Sequence, residues 1–287
     1  MRRLNINHVT EYRFATEVAL QPHRLLLRPR ESHNLLIESS MLDIFPAHAI
    51  RWRRDALDNS VADVNFFAPS NILRITSNVA VEVFEDAPLD FFMEDYAVIY
   101  PFEYGELERP DLAAFRKSVY KQDRWAVNQW LDSLGCLKGA MQTFALLDRM
   151  NRDIAENFVY EAREEAGVQS PGRTLYLRKG SCRDFAALFM EACRHLGLAS
   201  RFVSGYLDTS GMDVGQASTH AWSEVYLPGP GWKGFDQTGG ELTGNRHIPV
   251  AVARHPETVP PVAGSYFGPP GMRPDLAVSV CVTSLDG

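Results

Sequence analysis

The stretch GSCRDFAALFMEACRHLG, residues 180–197, decides the fold because it contains a helix start, an apolar helix face and a helix stop. We predict that Ser181 is the N-cap residue, which makes Cys182 the first helical residue and Asp184 the third, the spacing of a capping box. Gly197 stands where a glycine cap ends a helix. The predicted buried face consists of apolar residues at helical spacing: Phe185, Leu188, Phe189, Ala192 and Leu196. The pattern therefore predicts an amphipathic helix over residues 182–196 with a thiol in its first turn.

The position of Cys182 suits a reactive thiol, and it also suits a small residue that only packs at a helix start. Unpaired backbone N–H groups and the positive end of the helix dipole favour a thiolate there. The amide of Cys182 can also point at the atom that the sulfur attacks and so act as an oxyanion donor. Cys193, in the middle of the same helix, is predicted to pack in the core. Cys136 and Cys281 have no neighbours that indicate chemistry.

The composition is that of an ordinary globular protein. Of the 287 residues, 45% are hydrophobic and 23% are charged. The net charge of −7 argues against nucleic acid or an anionic membrane as the main partner. No apolar segment follows the arginines of MRRLNINHVTEYRF, and no run reaches the roughly 18 apolar residues of a membrane span, so we expect a cytoplasmic protein. The four cysteines do not have the pattern of a disulfide framework.

The hydrophobic periodicity of the first hundred residues is that of β-strands. In ILRITSNVAVEVF, residues 72–84, the apolar residues Ile75, Val79, Val81 and Val83 alternate with polar ones, which is typical of a half-buried strand. LNINHVTEYRF, HRLLLRPR and LLIESSMLDIF are further strand candidates, and prolines separate them. We therefore predict an antiparallel β-sandwich-like domain over residues 1–105.

Helical spacing begins after Pro110, and this change predicts a second domain over residues 106–287. The clearest example is AMQTFALLDRMNRDIAENF, in which Phe144, Leu147, Met150 and Ile154 form an apolar stripe. EEAGVQSPGRTLYLRKG contains Gly and Pro and is predicted to be an exposed loop. The strand candidates that follow the cysteine helix, with a C-terminal β tail containing LAVSVCVTSL, complete an α+β architecture.

A thiolate nucleophile needs a basic partner, and His220 is the best placed of the eight histidines. It begins the predicted strand of STHAWSEVYLPGPGWKGFDQT, and Asp236 ends the next strand, where an acid could hold one imidazole nitrogen. If PGPG is a four-residue turn, Leu227 pairs with Trp232 and Asp236 lies three residues from the position opposite His220. That offset is about 10 Å along a strand, so a bulge, a twist or a diagonal reach is needed.

Three sequence blocks closely resemble those of the bacterial transglutaminase-like superfamily: GSCRDF, the strand HAWSEV, and GWKGFD. HRLLLRPR and the strand near residues 71–84 are similar to the N-terminal β-domain that precedes this core in one bacterial branch. The resemblance implies a papain-like fold in which Cys182 is the nucleophile, His220 the general base and acid, and Asp236 the orienting acid. Two departures concern substrate handling: Gln237 replaces the usual proline, and ARHPETVPP replaces a segment that usually contains Gly-Arg-Asp-Tyr.

The resemblance implies acyl transfer on a peptide or protein amide through a thioester, with hydrolysis favoured over transamidation. No cofactor or metal is predicted, and neither nucleic acid nor a membrane is a predicted partner. Asp184, Tyr206 and Trp222 are additional candidates for the substrate cleft. Two alternatives stay open: a non-catalytic binding protein that kept the fold, and a metal site of Cys182, Cys193 and a histidine. The spacing C-x(10)-C of this last alternative fits no common zinc pattern.

Overall fold

The computed structural model describes residues 1–84, 88–163, 167–209 and 219–285 of the 287-residue chain. The predicted loop over EEAGVQSPGRTLYLRKG and the predicted strand STHAWSEVYLP both extend outside these ranges, at residues 164–166 and 218. The helices are α1 Glu108–Arg116, α2 Arg124–Ser133, α3 Thr143–Asn157, α4 Pro171–Leu177 and α5 Cys182–His195. The strands are β1 Arg2–Leu20, β2 His23–Leu25, β3 Leu35–Phe45, β4 His48–Arg54, β5 Ser60–Phe66, β6 Ser70–Val83, β7 Ile99–Tyr100, β8 Met141–Gln142, β9 Val159–Tyr160, β10 Lys179–Gly180, β11 Ser200–Leu207, β12 Thr219–Leu227, β13 Gly231–Asp236, β14 Glu241–Leu242, β15 His247–Ala253, β16 Val262–Ala263, β17 Tyr266–Phe267 and β18 Asp275–Ser284.

The N-terminal part is a sandwich of two antiparallel sheets, as predicted. In one sheet β3, β6 and β1 lie side by side, and β1 also pairs with β17 and β18; the other sheet has the order β16-β2-β5-β4. The alternation in β6 places Ile75, Val79 and Val81 in the core, each at most 1% exposed. A strand with one buried face needs this period of two, because successive side chains point to opposite faces.

The C-terminal tail belongs to the N-terminal sheet, so the predicted division at residue 105 is wrong for this segment. Strand β18 pairs along β1 from Leu4 to Arg13, and it buries Val280 and Val282. Residues before the predicted boundary, such as Phe91 and Tyr100, pack instead against the helical core. The two parts of the molecule are therefore interleaved along the chain rather than consecutive.

The second part is built on α5 and an antiparallel sheet of order β14-β13-β12-β11-β15, which confirms the predicted α+β core. Helix α5 has the predicted start and end within one residue and packs on β12. Its apolar face is fully buried, with Phe185, Leu188 and Phe189 at most 1% exposed. In α3 the predicted stripe is also confirmed, because Leu147 and Met150 are among its completely buried residues.

One predicted loop contains a helix. The segment around Pro171 and Gly172 was expected to be irregular, but α4 begins at Pro171. The Ser170 hydroxyl accepts a hydrogen bond from the Arg173 amide, which caps the helix. Proline is compatible with the first helical position, because its fixed φ suits the helix and its missing N–H would have no helical partner there. Among the described residues, no helix is both long and apolar enough to cross a membrane.

Candidate active site

The thiol of Cys182 lies in the first turn of α5, as predicted. The backbone N–H of Ser181 donates to Asp184 Oδ2 at 2.9 Å, as the predicted capping box requires, and the Ser181 hydroxyl donates to the same oxygen at 2.8 Å. The two residues before this cap form β10, which pairs in parallel with β9 and fixes the chain entering the helix. Cys182 is half-buried, whereas Cys193 is completely buried in the apolar core, where burial raises its pKa. The two sulfurs are separated by about 16 Å along the helix axis, which is too far for a shared metal ion.

Asp184 is a buried anchor and not a cleft residue, so its predicted position in the cleft is wrong. Its side chain is 0% exposed and accepts hydrogen bonds from Arg163, from the Gln169 amide and from the Ser181 cap. Burial acts to raise the pKa of Asp184, but the hydrogen bonds from Ser181, Arg163 and Gln169 outweigh it and lower the pKa. The carboxylate thereby ties the first turn of α5 to the segment that precedes α4.

The register of β12 and β13 differs by one residue from the predicted register. Leu227 pairs with Gly231 and Tyr226 with Trp232, so the predicted pairing of Leu227 with Trp232 is wrong. Gly229 and Gly231 both have positive φ, at 102° and 75°, and allow a three-residue connection. A shift of one residue moves every side chain of a strand to the other face. Continued by one step, the observed register places Asp236 opposite Trp222, on the same face as His220 and diagonal to it.

This diagonal neighbour is within hydrogen-bonding reach. His220 Nε2 lies 2.7 Å from Asp236 Oδ2, and both residues are buried. Burial acts to lower the pKa of His220, but its hydrogen bonds with Asp236 and Cys182 outweigh burial and raise the pKa to about 10. The same pairing lowers the pKa of Asp236 against the effect of burial. Because Asp236 occupies Nε2, the ring nitrogen left for the Cys182 thiol is Nδ1.

A second histidine, His247, contacts the same carboxylate and was missed by the sequence analysis. Its Nε2 lies 3.0 Å from Asp236 Oδ2, and its side chain is 3% exposed. It is the first residue of β15, which enters the sheet beside β11 and not beside β13. The only sequence signal was a histidine directly before the strand-like segment IPVAVARH, a position similar to that of His220 before its own strand.

His220, Asp236 and His247 also satisfy the distance requirement for a metal site, because one ligand atom from each lies within 4.8 Å of the others. The same three atoms, however, hydrogen-bond to one another at 2.7 and 3.0 Å. The arrangement as it stands is a closed hydrogen-bond network, and a metal ion would have to displace both of its protons.

The cleft beside Cys182 and His220 has a volume of about 560 Å³. Its described walls come from the segment before α4, from the start of α5, from β11 and β12, and from the segment after β15. The wall residues besides Cys182 and His220 are mostly apolar or small, with one cation and one anion: Gly167, Val168, Arg183, Phe202, Ser204, Thr219, Ala221, Pro256, Glu257, Val259, Pro260 and Pro261. Pro256 and Glu257 fall in the segment that departs from the family pattern.

Tyr206 and Trp222 lie behind the described cleft, so their predicted positions in it are wrong. Tyr206 is 2% exposed, and its hydroxyl is 3.0 Å from Nδ1 of His8 on β1. Trp222 is 1% exposed and packs edge-on against the ring of His247, with 5.2 Å between the ring centroids. A Cβ atom on Gly205 would lie only 2.6 Å from the Trp222 ring, so a glycine is needed for this packing.

Comparison with known proteins gives matches over both parts of the chain. Residues 4–82 match the family model of the bacterial transglutaminase-like N-terminal region, and residues 134–237 match that of the transglutaminase-like superfamily. An uncharacterised protein of Mycobacterium tuberculosis is 31% identical over 282 residues, which covers 92% of this chain and 88% of the relative. One of Mycobacterium leprae is 32% identical over 120 residues, covering 40% and 42%.

A solved structure from Cytophaga hutchinsonii, described as a candidate cysteine protease, has a similar fold. It superposes with a TM-score of 0.75 at 17% identity, over 100% of this chain and 91% of that one. Since the identity is low, the likeness concerns the fold alone. The match over the full chain includes the N-terminal sandwich, so both parts of this architecture occur together in another protein.

Proposed function

This chain belongs to the transglutaminase-like superfamily, and we propose that it hydrolyses amide bonds by way of a thioester on Cys182. The observation that carries the proposal is the connected series Cys182, His220 and Asp236, in which a helix-start thiol meets a histidine held by a buried carboxylate. The alternative of a non-catalytic binding protein gives no reason for a carboxylate buried behind a histidine beside an accessible thiol.

In the first half-reaction the Cys182 thiolate attacks the amide carbonyl carbon. His220 is then the imidazolium, a state that Asp236 favours by accepting from Nε2. The negative oxygen of the tetrahedral intermediate accepts a hydrogen bond from the Cys182 backbone N–H at the positive end of α5. His220 gives its Nδ1 proton to the leaving nitrogen, the C–N bond breaks, and the acyl group remains on sulfur as a thioester.

In the second half-reaction the neutral His220 accepts a proton from a water molecule that attacks the thioester carbonyl. The C–S bond breaks, a carboxylic acid leaves, and the thiolate and imidazolium are restored. An amine in place of water would give transamidation by the same steps. We propose water as the acceptor, and the substrate as a peptide or protein amide that fits the apolar cleft between α5 and the segment after β15.

The first experiment measures alkylation of Cys182 by iodoacetamide as a function of pH. Mass spectrometry reads each cysteine separately, and Cys281 serves as the internal control because it is exposed and lies on β18, away from the site. We expect Cys182 to react faster than Cys281 at neutral pH and to slow in His220→Ala. Equal rates for the two cysteines in the folded wild type would refute the proposal and favour a binding protein.

The second experiment offers a peptide and amide library to the wild type and to Cys182→Ala. Release of carboxylic acids by the wild type alone supports hydrolysis. Addition of a fluorescent primary alkylamine to the same reactions tests the acceptor. If the amine is incorporated in preference to release of acid, transamidation is the activity and water is the wrong acceptor.

A further inference from the structure

The carboxylate of Asp236 is held by more donors than a three-residue mechanism requires. Oδ2 accepts from Nε2 of His220 at 2.7 Å and faces Nε2 of His247 at 3.0 Å, while Oδ1 accepts from the Thr238 amide at 2.9 Å. The Asp236 side chain is 2% exposed, so protein donors supply what water would supply at a surface. The role of His247, whose N–H is the second to face Oδ2, therefore needs a separate explanation.

The surroundings of His247 fix which of its nitrogens carries the proton. Its Nδ1 accepts a hydrogen bond from the Gly244 amide at 3.3 Å. A nitrogen that accepts has no proton, so the ring proton resides on Nε2, the atom that faces Asp236. His247 therefore donates a neutral N–H to the carboxylate, whereas His220 is the charged partner.

The ring of His247 is also held from the side. Trp222 contacts it edge-on at 5.2 Å and lies 6.1 Å from the ring of His220, so one indole touches both imidazoles. Since Trp222 is 1% exposed and is confined by Gly205, neither ring can turn without moving a packed core residue. The geometry of the two histidines and the carboxylate is thus set by β11, β12, β13 and β15 together.

We infer that His247 is a positioning residue for the proposed reaction: its Nε2–H holds Asp236 in the orientation in which the carboxylate directs Nδ1 of His220 at Cys182. The inference rests on the proposed function. His247 does not touch the substrate or the sulfur, so it acts only through Asp236. Without it, one lone pair of Oδ2 has no donor, and only His220 and the Thr238 amide hold the carboxylate in place.

The test replaces His247 by glutamine, asparagine and phenylalanine. The Gln Nε2 amide stands close to the position of the histidine Nε2 and preserves a donor, while Asn is too short to reach Asp236 and Phe keeps the volume without a donor. We expect Cys182 alkylation and amide hydrolysis to fall about 10- to 100-fold in the Phe and Asn variants. We expect the Gln variant to recover most of the rate. His23→Phe is the matched control, because His23 is a buried histidine of β2 whose ring bonds to the Gln21 carbonyl and packs on Phe66, so it takes no part in this network.

The pH profile distinguishes a positioning role from a merely structural one. Among the described residues, the titratable or charged groups near His220 and Asp236 are Cys182 and Arg183 from α5, His247 from β15, the half-exposed Tyr160 from β9, and Glu257 after β15. Amide hydrolysis needs the protonated His220, and a looser Asp236 holds the imidazolium less firmly, so the alkaline limb of the hydrolysis profile should move to lower pH in His247→Phe. The limb should stay near its wild-type position in His247→Gln. A folded Phe variant with unchanged rate and unchanged limb overturns the inference, even though Cys182 stays reactive and the proposed function stands.

A measurement on the wild type keeps the inference testable if a variant does not fold. Histidine ring ¹⁵N spectra should show a neutral Nε2–H tautomer with a strongly hydrogen-bonded proton for the ring that has through-space contacts with both the Trp222 indole and the Gly244 amide, since only His247 meets both. An Nδ1–H tautomer at that ring would overturn the inference. So would a stoichiometric metal ion in the purified protein that is lost in His247→Gln, because His247 would then be a ligand. If wild-type Cys182 itself is unreactive, the proposed function fails first.

Discussion

Replacement of Asp184 by asparagine tests whether this residue holds the first turn of α5, which contains Cys182, in place. The carboxylate accepts from both sides of the turn: Ser181 in the cap, and Arg163 and Gln169 in the segment before α4. Asparagine keeps the size of the side chain but removes the charge and turns one acceptor into a donor. In the variant, donors that bond to a carboxylate oxygen of Asp184 in the wild type would face the NH₂ group of asparagine, in a site that is 0% exposed.

The expected loss of stability follows from the burial of this ion pair. The side chains of Arg163 and Asp184 are 18% and 0% exposed, and removing one partner of a buried pair costs about 3–5 kcal/mol. Loss of the helix cap contributes about 1 kcal/mol to the same change, and the two overlap because they share the carboxylate. We therefore expect the free energy of unfolding to fall by about 4 kcal/mol.

Urea denaturation followed by tryptophan fluorescence measures this loss. Asp63→Asn is the matched control, because Asp63 pairs with Arg53 at 2.7 Å but with both side chains well exposed, and it should lose less than about 1 kcal/mol. The pKa of Asp184 is lowered, so its contribution is present above the unfolded Asp value of 3.8 and disappears as the pH falls below it. A loss in Asp184→Asn no larger than the control, or one that does not shrink in acid, would refute the reasoning.

Three further predictions concern the scaffold of the site. Gly205→Ala should lower stability by about 1–3 kcal/mol and slow Cys182 alkylation, because the new Cβ meets the Ile248 carbonyl and the Trp222 ring. Gly105→Ala is the control, because its Cβ meets only Glu108, at 3.6 Å. If the two variants behave equally, the packing argument is wrong. Truncation after residue 274 removes β18, which covers the edge of β1, so the protein should aggregate in size-exclusion chromatography. Truncation after residue 284 keeps β18 and should not cause aggregation. A monodisperse 1–274 protein would contradict the role of β18 as an edge cover. Burial acts to raise the pKa of Glu191, but hydrogen bonds from its neighbours lower it to about 2, so the stability it contributes should be lost as the pH falls from about 4.5 towards 2. Glu191→Gln should flatten that part of a denaturation series in pH, and an unchanged slope counts against it.

Local patterns predicted the elements that carry Cys182 and the core. The cap of α5 depends on residues three apart, Ser181 and Asp184, and the buried face of β6 depends on a period of two. Both are decided within one turn or one strand, so the sequence holds all the information that they need. For the same reason Cys193 could be distinguished from Cys182 by its place in the helix alone.

The register of the β12–β13 hairpin could not be predicted, because it depends on the conformation of the turn. Pro228, Gly229 and Pro230 make the connection, and Gly231 already pairs with Leu227. A four-residue and a three-residue turn fit the letters PGPG equally well, but they put Asp236 on opposite faces of the sheet. The pairing of Asp236 with His220 was predicted from the family resemblance. The diagonal contact between the two strands in the structure explains how the pair forms.

Contacts between distant segments could not be predicted for a further reason: the sequence of a strand does not specify which strand it pairs with. The alternation in LAVSVCVTSL predicted a strand, but its pairing with β1 joins residues more than 260 positions apart. Tyr206 was expected in the cleft because it follows Gly205 at the end of a strand. Its hydroxyl meets His8 because β1 covers this side of the core sheet.

The N-terminal sandwich is part of the support of the site, since it holds the strand that bears His247. The completely buried Asn59 donates its side-chain amide to the Val252 carbonyl and accepts from the Val252 N–H, both at 2.8 Å. The Arg30 amide donates to the Pro249 carbonyl at 2.8 Å. These bonds satisfy the outer edge of β15, which would otherwise be the open edge of the core sheet. A core of β11 to β15 without the sandwich would leave β15 unsupported on that side, and with it the histidine that orients Asp236. The sandwich therefore contributes to the placement of His247, through hydrogen bonds to the strand that bears it.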